Sequence, residues 1–179
     1  NFENGAYTLQ VANLNGSNPQ ALVIRTNADY NFQFVSLKKP TELLSLEPPK
    51  EEWDFHFTKY MERLWDGEDT VDYSVTGVLL NPNKCAAYNA SALLRDTINT
   101  LSYGNVKLSN INETSFSSSA IAVGHQWKYF DLDAGAFQLL TPQLYFIKDV
   151  HQQVYKFRFV GFYDAAGNKG AVSFEYLPL

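Results

Sequence analysis

The stretch QVYKFRFVGFYDAAGNKGAVSFEYLPL, residues 153–179, indicates the fold class of this chain most clearly. Apolar and polar side chains alternate on both sides of DAAGNKG, and successive side chains of a strand point to opposite faces of a sheet. The Asp, Asn and Gly residues between the two runs favour a tight turn. The sequence therefore predicts an antiparallel hairpin in which residues 153–163 pair with residues 170–177.

The same alternation recurs along most of the chain and predicts further strands. They are AYTLQVA from Ala6, ALVIRT from Ala21, YNFQFVSL from Tyr30, EEWDFHFTKY from Glu51, VDYSVTGVLL from Val71, AIAVGHQWKYFDL from Ala120 and QLYFIK from Gln143. Loop segments rich in Gly, Pro, Asn and Asp separate the strands. We therefore predict a mainly β fold, a single antiparallel β domain over residues 1–179 with one or two short helices.

One helix is predicted over residues 91–102. Ser91 can cap its first turn, and Leu94, Ile98 and Leu101 recur at the spacing of one helix face. Gly104 follows as a stop signal. A second, shorter helix is a candidate in YMERLWDG, which begins at Tyr60.

Composition excludes some classes of partner. The chain has 179 residues and a net charge of −5, and no basic stripe is seen, so nucleic acid is not an expected partner. A chain of this length buries roughly 70% of the surface that it exposes when unfolded, so it needs no disulfide or metal ion to stabilise its fold. Cys85 is the single cysteine, which rules out an intrachain disulfide. The sequence contains no run of 18 or more apolar residues, so no transmembrane segment is predicted. The chain begins with Asn rather than Met, so it is expected to be trimmed, and the sequence leaves open whether a signal peptide or a lipid-anchor cysteine was removed.

Catalytic and metal motifs are missing from the sequence. There is no Gly-rich phosphate loop, no HExxH, no paired-cysteine motif and no GxSxG elbow. The three histidines, His56, His125 and His151, are scattered along the chain. We therefore expect neither an enzyme nor a structural metal site, because both need clustered side chains.

The order of several segments resembles a known family. WDFHFTKY from Trp53 is followed by GVLLN from Gly77, then by KYFDLDAGAF from Lys128 and by the terminal hairpin from Tyr155. This order resembles the HmuY family, haem-binding surface lipoproteins of Bacteroidetes. The similarity covers the chain from about residue 28 to its end, and residues 1–27 look like an extension.

The resemblance implies an all-β fold that holds haem between loops and strand ends, with the iron bound by two axial His or Met side chains. The two matching segments are residues 112–125, which offer His125, and residues 139–145, which offer Gln143 in place of His or Met. The implied role is a haem-capture carrier in iron acquisition, lipid-anchored at the outer membrane or secreted. Such a carrier passes haem to a TonB-dependent outer-membrane receptor.

The residues themselves point to the same part of the chain. His125, Trp127 and Tyr129 are predicted to share one face of a strand that leaves a Ser-rich loop, where an imidazole beside two aromatic rings suits a flat, apolar, carboxylate-bearing ligand. His125 is thus the predicted iron ligand. The second axial position is expected to be open, or filled by water or by a weak side chain near Gln143 or Tyr145.

Several alternatives stay open at this point. His125 can be a hydrogen-bonded strand residue, and His56 beside Asp54 is expected to be structural. His151 is expected in a solvent-exposed turn. Met61 and Cys85 are weaker candidates for iron, since lone Met and Cys residues usually pack in the interior. A second function is a surface binding or adhesion module on the same fold that has lost the haem site, and the missing second ligand separates the two.

Overall fold

The computed structural model of the chain describes residues 2–3, 5–96, 98 and 100–179. Strands make up 47% of the residues and helices only 6%, which confirms the mainly β prediction. All strand pairs among the described residues are antiparallel. The chain forms two compact units, Asn1–Trp53 and Asp54–Leu179. The prediction of one domain over residues 1–179 stays a prediction.

The first unit consists of a small sheet and a hairpin. The sheet has the order β1-β2-β3, and the hairpin pairs β4 with β5. The strands are β1 (Phe2–Glu3), β2 (Ala6–Val11), β3 (Gln20–Arg25), β4 (Phe34–Ser36) and β5 (Lys39–Leu44). The strand predicted from Tyr30 is shortened to β4, because the amides of Asn31 and Phe32 donate to the carboxylate of Glu47.

The second unit contains a long hairpin, a short hairpin and a four-stranded sheet. The strands are β6 (Phe55–Trp65), β7 (Thr70–Leu80), β8 (Ala86–Asn89), β9 (Lys128–Asp131), β10 (Ala136–Leu139), β11 (Tyr145–Lys148), β12 (Val154–Tyr163) and β13 (Lys169–Pro178). β6 pairs with β7 and β9 with β10, and the sheet has the order β13-β12-β11-β8. The predicted terminal hairpin is confirmed, with Phe157 opposite Tyr176.

Both faces of the four-stranded sheet are covered. Tyr145 and Ile147 of β11 belong to one core cluster, which also contains Trp127, whereas Phe146 between them belongs to a second cluster with Val106. Because neighbouring side chains of a strand point in opposite directions, each cluster lies on its own face of the sheet. β11 is therefore an interior strand and reads as a continuous apolar run.

The helix predicted over residues 91–102 is largely wrong. Only a 3₁₀ helix at Ser91–Arg95 forms, and Asp96 after it is extended. Ser91 does not cap it, because its Oγ accepts a hydrogen bond from the amide of Leu144 at 3.1 Å. Residues 98 and 100–102 are also not helical, while Thr97 and Asn99 lie outside the described residues.

The second helix candidate is also wrong, since residues 60–65 are part of strand β6. The other 3₁₀ helices among the described residues are Leu108–Asn110 and Glu113–Ser115, and each has three residues. The helical spacing of a few apolar residues thus misled the sequence interpretation in both places. Strand pairing with β7 decides the conformation of residues 60–65.

The strand predicted from Ala120 begins late, and this difference shapes the site. Residues 121–127 form turns, and β9 begins only at Lys128. Gly124 has a φ of +63°, a conformation that glycine adopts at little cost. Its amide and carbonyl both bond to Val78 of β7, at 3.0 and 2.9 Å. The turn that carries His125 is therefore fixed to the long hairpin.

The close approach of Gly77 to this turn gives a first prediction. A Cβ added at Gly77 would lie 2.6 Å from the carbonyl oxygen of Gly124. We expect Gly77→Ala to destabilise the protein by about 1–3 kcal/mol through overpacking. Gly104→Ala is the control, since its nearest neighbour would be 3.7 Å away. Urea unfolding of both variants checks this, and equal midpoints would contradict the close packing.

Candidate functional site

A cleft of about 620 Å³ lies in the second unit between the turn before β9, the segment that enters β11 and the 3₁₀ helix at Ser91–Arg95. Four of the five predicted site residues line it: His125, Trp127, Gln143 and Tyr145. They come from two segments that the sequence interpretation treated as separate halves of one site. The cleft therefore brings the two halves together.

Tyr129, the fifth predicted residue, does not line the cleft. It belongs to β9 and is 47% exposed, whereas Trp127 is 1% exposed. The two residues do not share a strand face, because Trp127 lies in the turn before β9 begins. The prediction that Trp127 and Tyr129 share a strand face is therefore wrong.

His125 is oriented by Tyr60 of β6. The hydroxyl of Tyr60 lies 3.3 Å from Nδ1 of His125, within hydrogen-bonding distance. When Nδ1 donates its proton to this hydroxyl, Nε2 keeps a lone pair that can bind a metal ion. The sequence gave no signal for the role of Tyr60, because 65 residues separate it from His125.

His125 is neutral at neutral pH. Burial lowers its pKa below the ordinary value, Lys128 lowers it further, and the nearby Glu62 acts in the opposite direction. Only a neutral imidazole can bind a metal through nitrogen. The surroundings therefore hold His125 in the protonation state that a ligand to iron requires.

The lowered pKa of His125 predicts a pH dependence. The unfolded chain takes up this proton near pH 6.5, the ordinary value, and the folded chain does so at lower pH. Above pH 6.5, neutral His125 therefore makes its full contribution to the free energy of unfolding. This contribution is lost as the pH falls from 6.5 through the lower pKa of the folded state. We expect the His125→Gln variant to lose this part of the acid destabilisation. An NMR titration midpoint of His125 at or above 6.5 would contradict the prediction.

Gln143 is a structural bridge within the wall of the cleft. Its Nε2 donates to the carbonyl of Trp127 at 2.5 Å, and its Oε1 accepts from the amide of Phe159 at 3.2 Å. The side chain is 6% exposed. Both ends of the amide thus bond to the backbone, which fixes the side chain of Gln143 within the wall of the cleft. Its contacts tie the turn before β9 to strand β12.

Tyr145 and Trp127 form the aromatic interior of the cleft. Burial raises the pKa of Tyr145 to about 12, so it stays a phenol rather than a phenolate. The ring of Trp127 stacks on Phe159 at 4.0 Å between centroids. Its Nε1 has no hydrogen-bond partner among the described residues. Trp127 is 1% and Tyr145 2% exposed, so the two rings form a rigid, packed wall behind the cleft rather than an open aromatic surface.

Two basic residues lie at the cleft. Arg95 is exposed there and can meet a carboxylate, a role that the sequence interpretation missed because it assigned Arg95 to a longer helix. Lys128 is buried, and its ammonium donates to the carbonyl of Thr76 at 2.6 Å. Burial lowers the pKa of Lys128 to about 8. Arg95 is therefore the better placed cation for a bound carboxylate.

The remaining candidate ligands lie elsewhere. Cys85 precedes a strand rather than a helix, and burial together with Asp54 raises the pKa of its thiol to about 12. His56, Met61 and His151 are exposed. Within the part of the chain that the structure describes, no three His, Cys, Asp or Glu side chains come close enough to hold a metal ion. Nor does any helix there have the length and apolar character to cross a membrane.

Comparisons with known proteins give no relative for this chain: no family model, no curated protein and no solved structure matches it. The resemblance to the HmuY family therefore stays a prediction from the residues quoted above.

Proposed function

We propose that this chain binds haem in the cleft, with His125 as the axial protein ligand. The observation that carries the proposal is the meeting of His125 with Trp127, Gln143 and Tyr145 around one cavity. Its volume of about 620 Å³ lies within the range of roughly 300–1,000 Å³ that is common for small-molecule sites. Haem supplies an iron that takes axial ligands on the two faces of a flat apolar ring.

Each residue has a separate task in this proposal. His125 offers the lone pair of Nε2 because its pKa is lowered and Nδ1 has Tyr60 as a partner. Trp127 and Tyr145 are nearly fully buried and form the rigid apolar backing of the cleft. Arg95 at the exposed side of the cleft can pair with a propionate. Gln143 keeps the two sides of the cleft at a fixed distance.

The proposed site has one strong iron ligand instead of two. Gln143 is committed to the backbone, and Tyr145 stays protonated, so neither replaces the missing His or Met. A loss of ~2.8 kcal/mol in binding free energy is roughly a hundredfold in the dissociation constant. We therefore expect weaker haem capture than in a protein that binds the iron through two such side chains.

The cellular role is proposed from the resemblance. A haem-binding protein with the segments quoted above would act as a carrier at the bacterial cell surface, lipid-anchored at the outer membrane or secreted. Its partner would be a TonB-dependent outer-membrane receptor. Binding through one axial ligand would favour the release of haem to such a receptor, because the complex dissociates more readily.

A surface binding or adhesion module that has lost the haem site is the second candidate. The backbone hydrogen bonds at both ends of the Gln143 amide favour it, because a residue at the expected ligand position has become part of the scaffold. In this case the aromatic cleft would take an organic ligand without iron. The two candidates differ in whether the metal contributes to binding.

Titration with haemin, followed by absorbance, separates the two candidates. Metal-free protoporphyrin IX is the matched control ligand, since it has the same ring and propionates. We expect a saturable Soret change with haemin and binding of protoporphyrin that is at least about tenfold weaker, about 1.4 kcal/mol. Equal binding of both would favour the module, and no saturable change with haemin would overturn the haem proposal.

A further inference from the structure

A second cavity of about 290 Å³ lies in the second unit and shares no lining residue with the haem cleft. We call it the aromatic groove. Its lining combines aromatic rings with two carboxylates. These residues are Asp54, Asp149, Tyr155, Phe157, Phe174 and Tyr176.

Packed rings form the walls of the groove. Phe157 lies 4.9 Å from Phe174 between centroids in a stacked arrangement, and Tyr155 lies 6.0 Å from Tyr176. Phe157 is 1% exposed and holds its side of the groove rigidly, whereas Tyr176 is 59% exposed. The groove therefore has a fixed floor and an accessible aromatic rim.

Two carboxylates are fixed at the groove. Oδ1 of Asp54 accepts the amide of Val150 at 3.1 Å. Oδ1 of Asp149 accepts the amide of Gln153 at 2.8 Å, and Asp149 is only 8% exposed. Among the described residues, neither carboxylate takes part in an ion pair. Hydrogen bonds from backbone amides thus hold both negative charges in place.

The two carboxylates help to raise the pKa values of neighbouring groups. The pKa of Tyr155 is raised by burial, then by Asp149 and Asp54. The pKa of Cys85 is raised to about 12, again by burial first and then by the same two carboxylates. The local potential is therefore negative, and it acts through a partly water-excluded surface where charges are poorly screened.

We propose that the aromatic groove binds a small organic cation with an aromatic body, of the arylalkylamine class. The ammonium group would lie against Asp54 and Asp149, and the body would lie on the exposed rings of Phe174 and Tyr176. Ring faces attract cations, and aromatic cages with ammonium ligands use this attraction. A neutral ligand leaves the carboxylates without a counterion, and an anion is repelled by them.

Three ligands of matched shape test the proposal on the full chain by calorimetry: phenethylamine, 2-phenylethanol and 3-phenylpropionate. We expect saturable binding of the amine, binding of the alcohol at least tenfold weaker, and no measurable binding of the carboxylate. Equal affinity for amine and alcohol would overturn the proposal, as would the absence of saturable amine binding. The haem proposal stands apart from this result, because the two sites share no residue.

Variants assign the binding to the groove. Asp149→Asn keeps the size and an acceptor oxygen, and we expect it to weaken amine binding about tenfold. Asp133→Asn, an exposed residue outside the groove, makes the same change in net charge and should leave the affinity unchanged. Tyr176→Leu removes an exposed ring and gives an independent test should Asp149→Asn fail to fold. Amine binding unchanged in Tyr176→Leu or in folded Asp149→Asn would contradict the assignment.

Discussion

Replacing His125 with alanine is expected to weaken haemin binding about a hundredfold and to change the Soret band of the bound haem. The reason is that His125 is the cleft residue with a neutral nitrogen lone pair, while Gln143 and Tyr145 are committed or protonated. A hundredfold change corresponds to ~2.8 kcal/mol of binding free energy. Absorbance titration with haemin measures the dissociation constant and the band position together.

The matched control for this variant is His56→Ala. His56 is exposed in strand β6 and lies outside the cleft, so its removal should leave haemin binding unchanged. The comparison separates ligation at the site from haemin bound loosely to any surface histidine. If both variants bind haemin as the wild type does, with the same Soret maximum, His125 is a packing residue and the proposed site is wrong.

Replacing Trp127 with alanine is expected to reduce the free energy of unfolding by about 3–5 kcal/mol, as large aromatic truncations in cores do. Trp127 is 1% exposed and packs on both Phe159 and Phe162 in the main core cluster. The truncation removes these contacts and leaves a cavity that the rigid sheet cannot fill. Urea unfolding followed by circular dichroism measures the change.

Tyr129→Ala is the control for Trp127, because the sequence placed both rings on one strand face. Tyr129 is 47% exposed, so its truncation should change the stability by less than about 0.5 kcal/mol. A small effect at Trp127, or similar losses in both variants, would show that the turn before β9 is not built as described. The alternating strand of the sequence interpretation would then be the better account.

The local parts of the fold could be predicted from the sequence. The terminal hairpin follows from alternation and from the turn residues between the strands, and the structure forms it, from Tyr155 opposite Pro178 to Tyr163 opposite Lys169. Strands β2, β3, β7 and β11 also lie where alternation placed them. These elements depend on short-range patterns, which a single sequence carries.

The parts that depend on distant contacts could not be predicted. Ser91 has the type of a helix cap, yet its hydroxyl bonds to Leu144, 53 residues away. Gly124 interrupts an alternating segment, and its bonds to Val78 turn the chain before β9. A pattern read along the chain carries no information on these partners. Both errors fall on segments that line the proposed cleft.

The candidate site could be predicted only where its signal lies in neighbouring residues of the sequence. His125 stood out as a histidine beside aromatic residues at a loop end, and the structure places it in the cleft with Trp127 and Tyr145. The locking of Gln143 by the backbone of Trp127 and Phe159 was not visible in the sequence. Nor was Tyr60, which comes from another hairpin to orient His125.

In the proposed site one histidine, His125, binds the iron of haem. Electron paramagnetic resonance of the one-to-one ferric complex at neutral pH tests this assignment, because the spin state reports the number of strong axial ligands. We expect a high-spin spectrum for the wild type that changes in His125→Ala. A low-spin spectrum, which needs two strong ligands, would contradict it, as would a wild-type chain that forms no one-to-one complex.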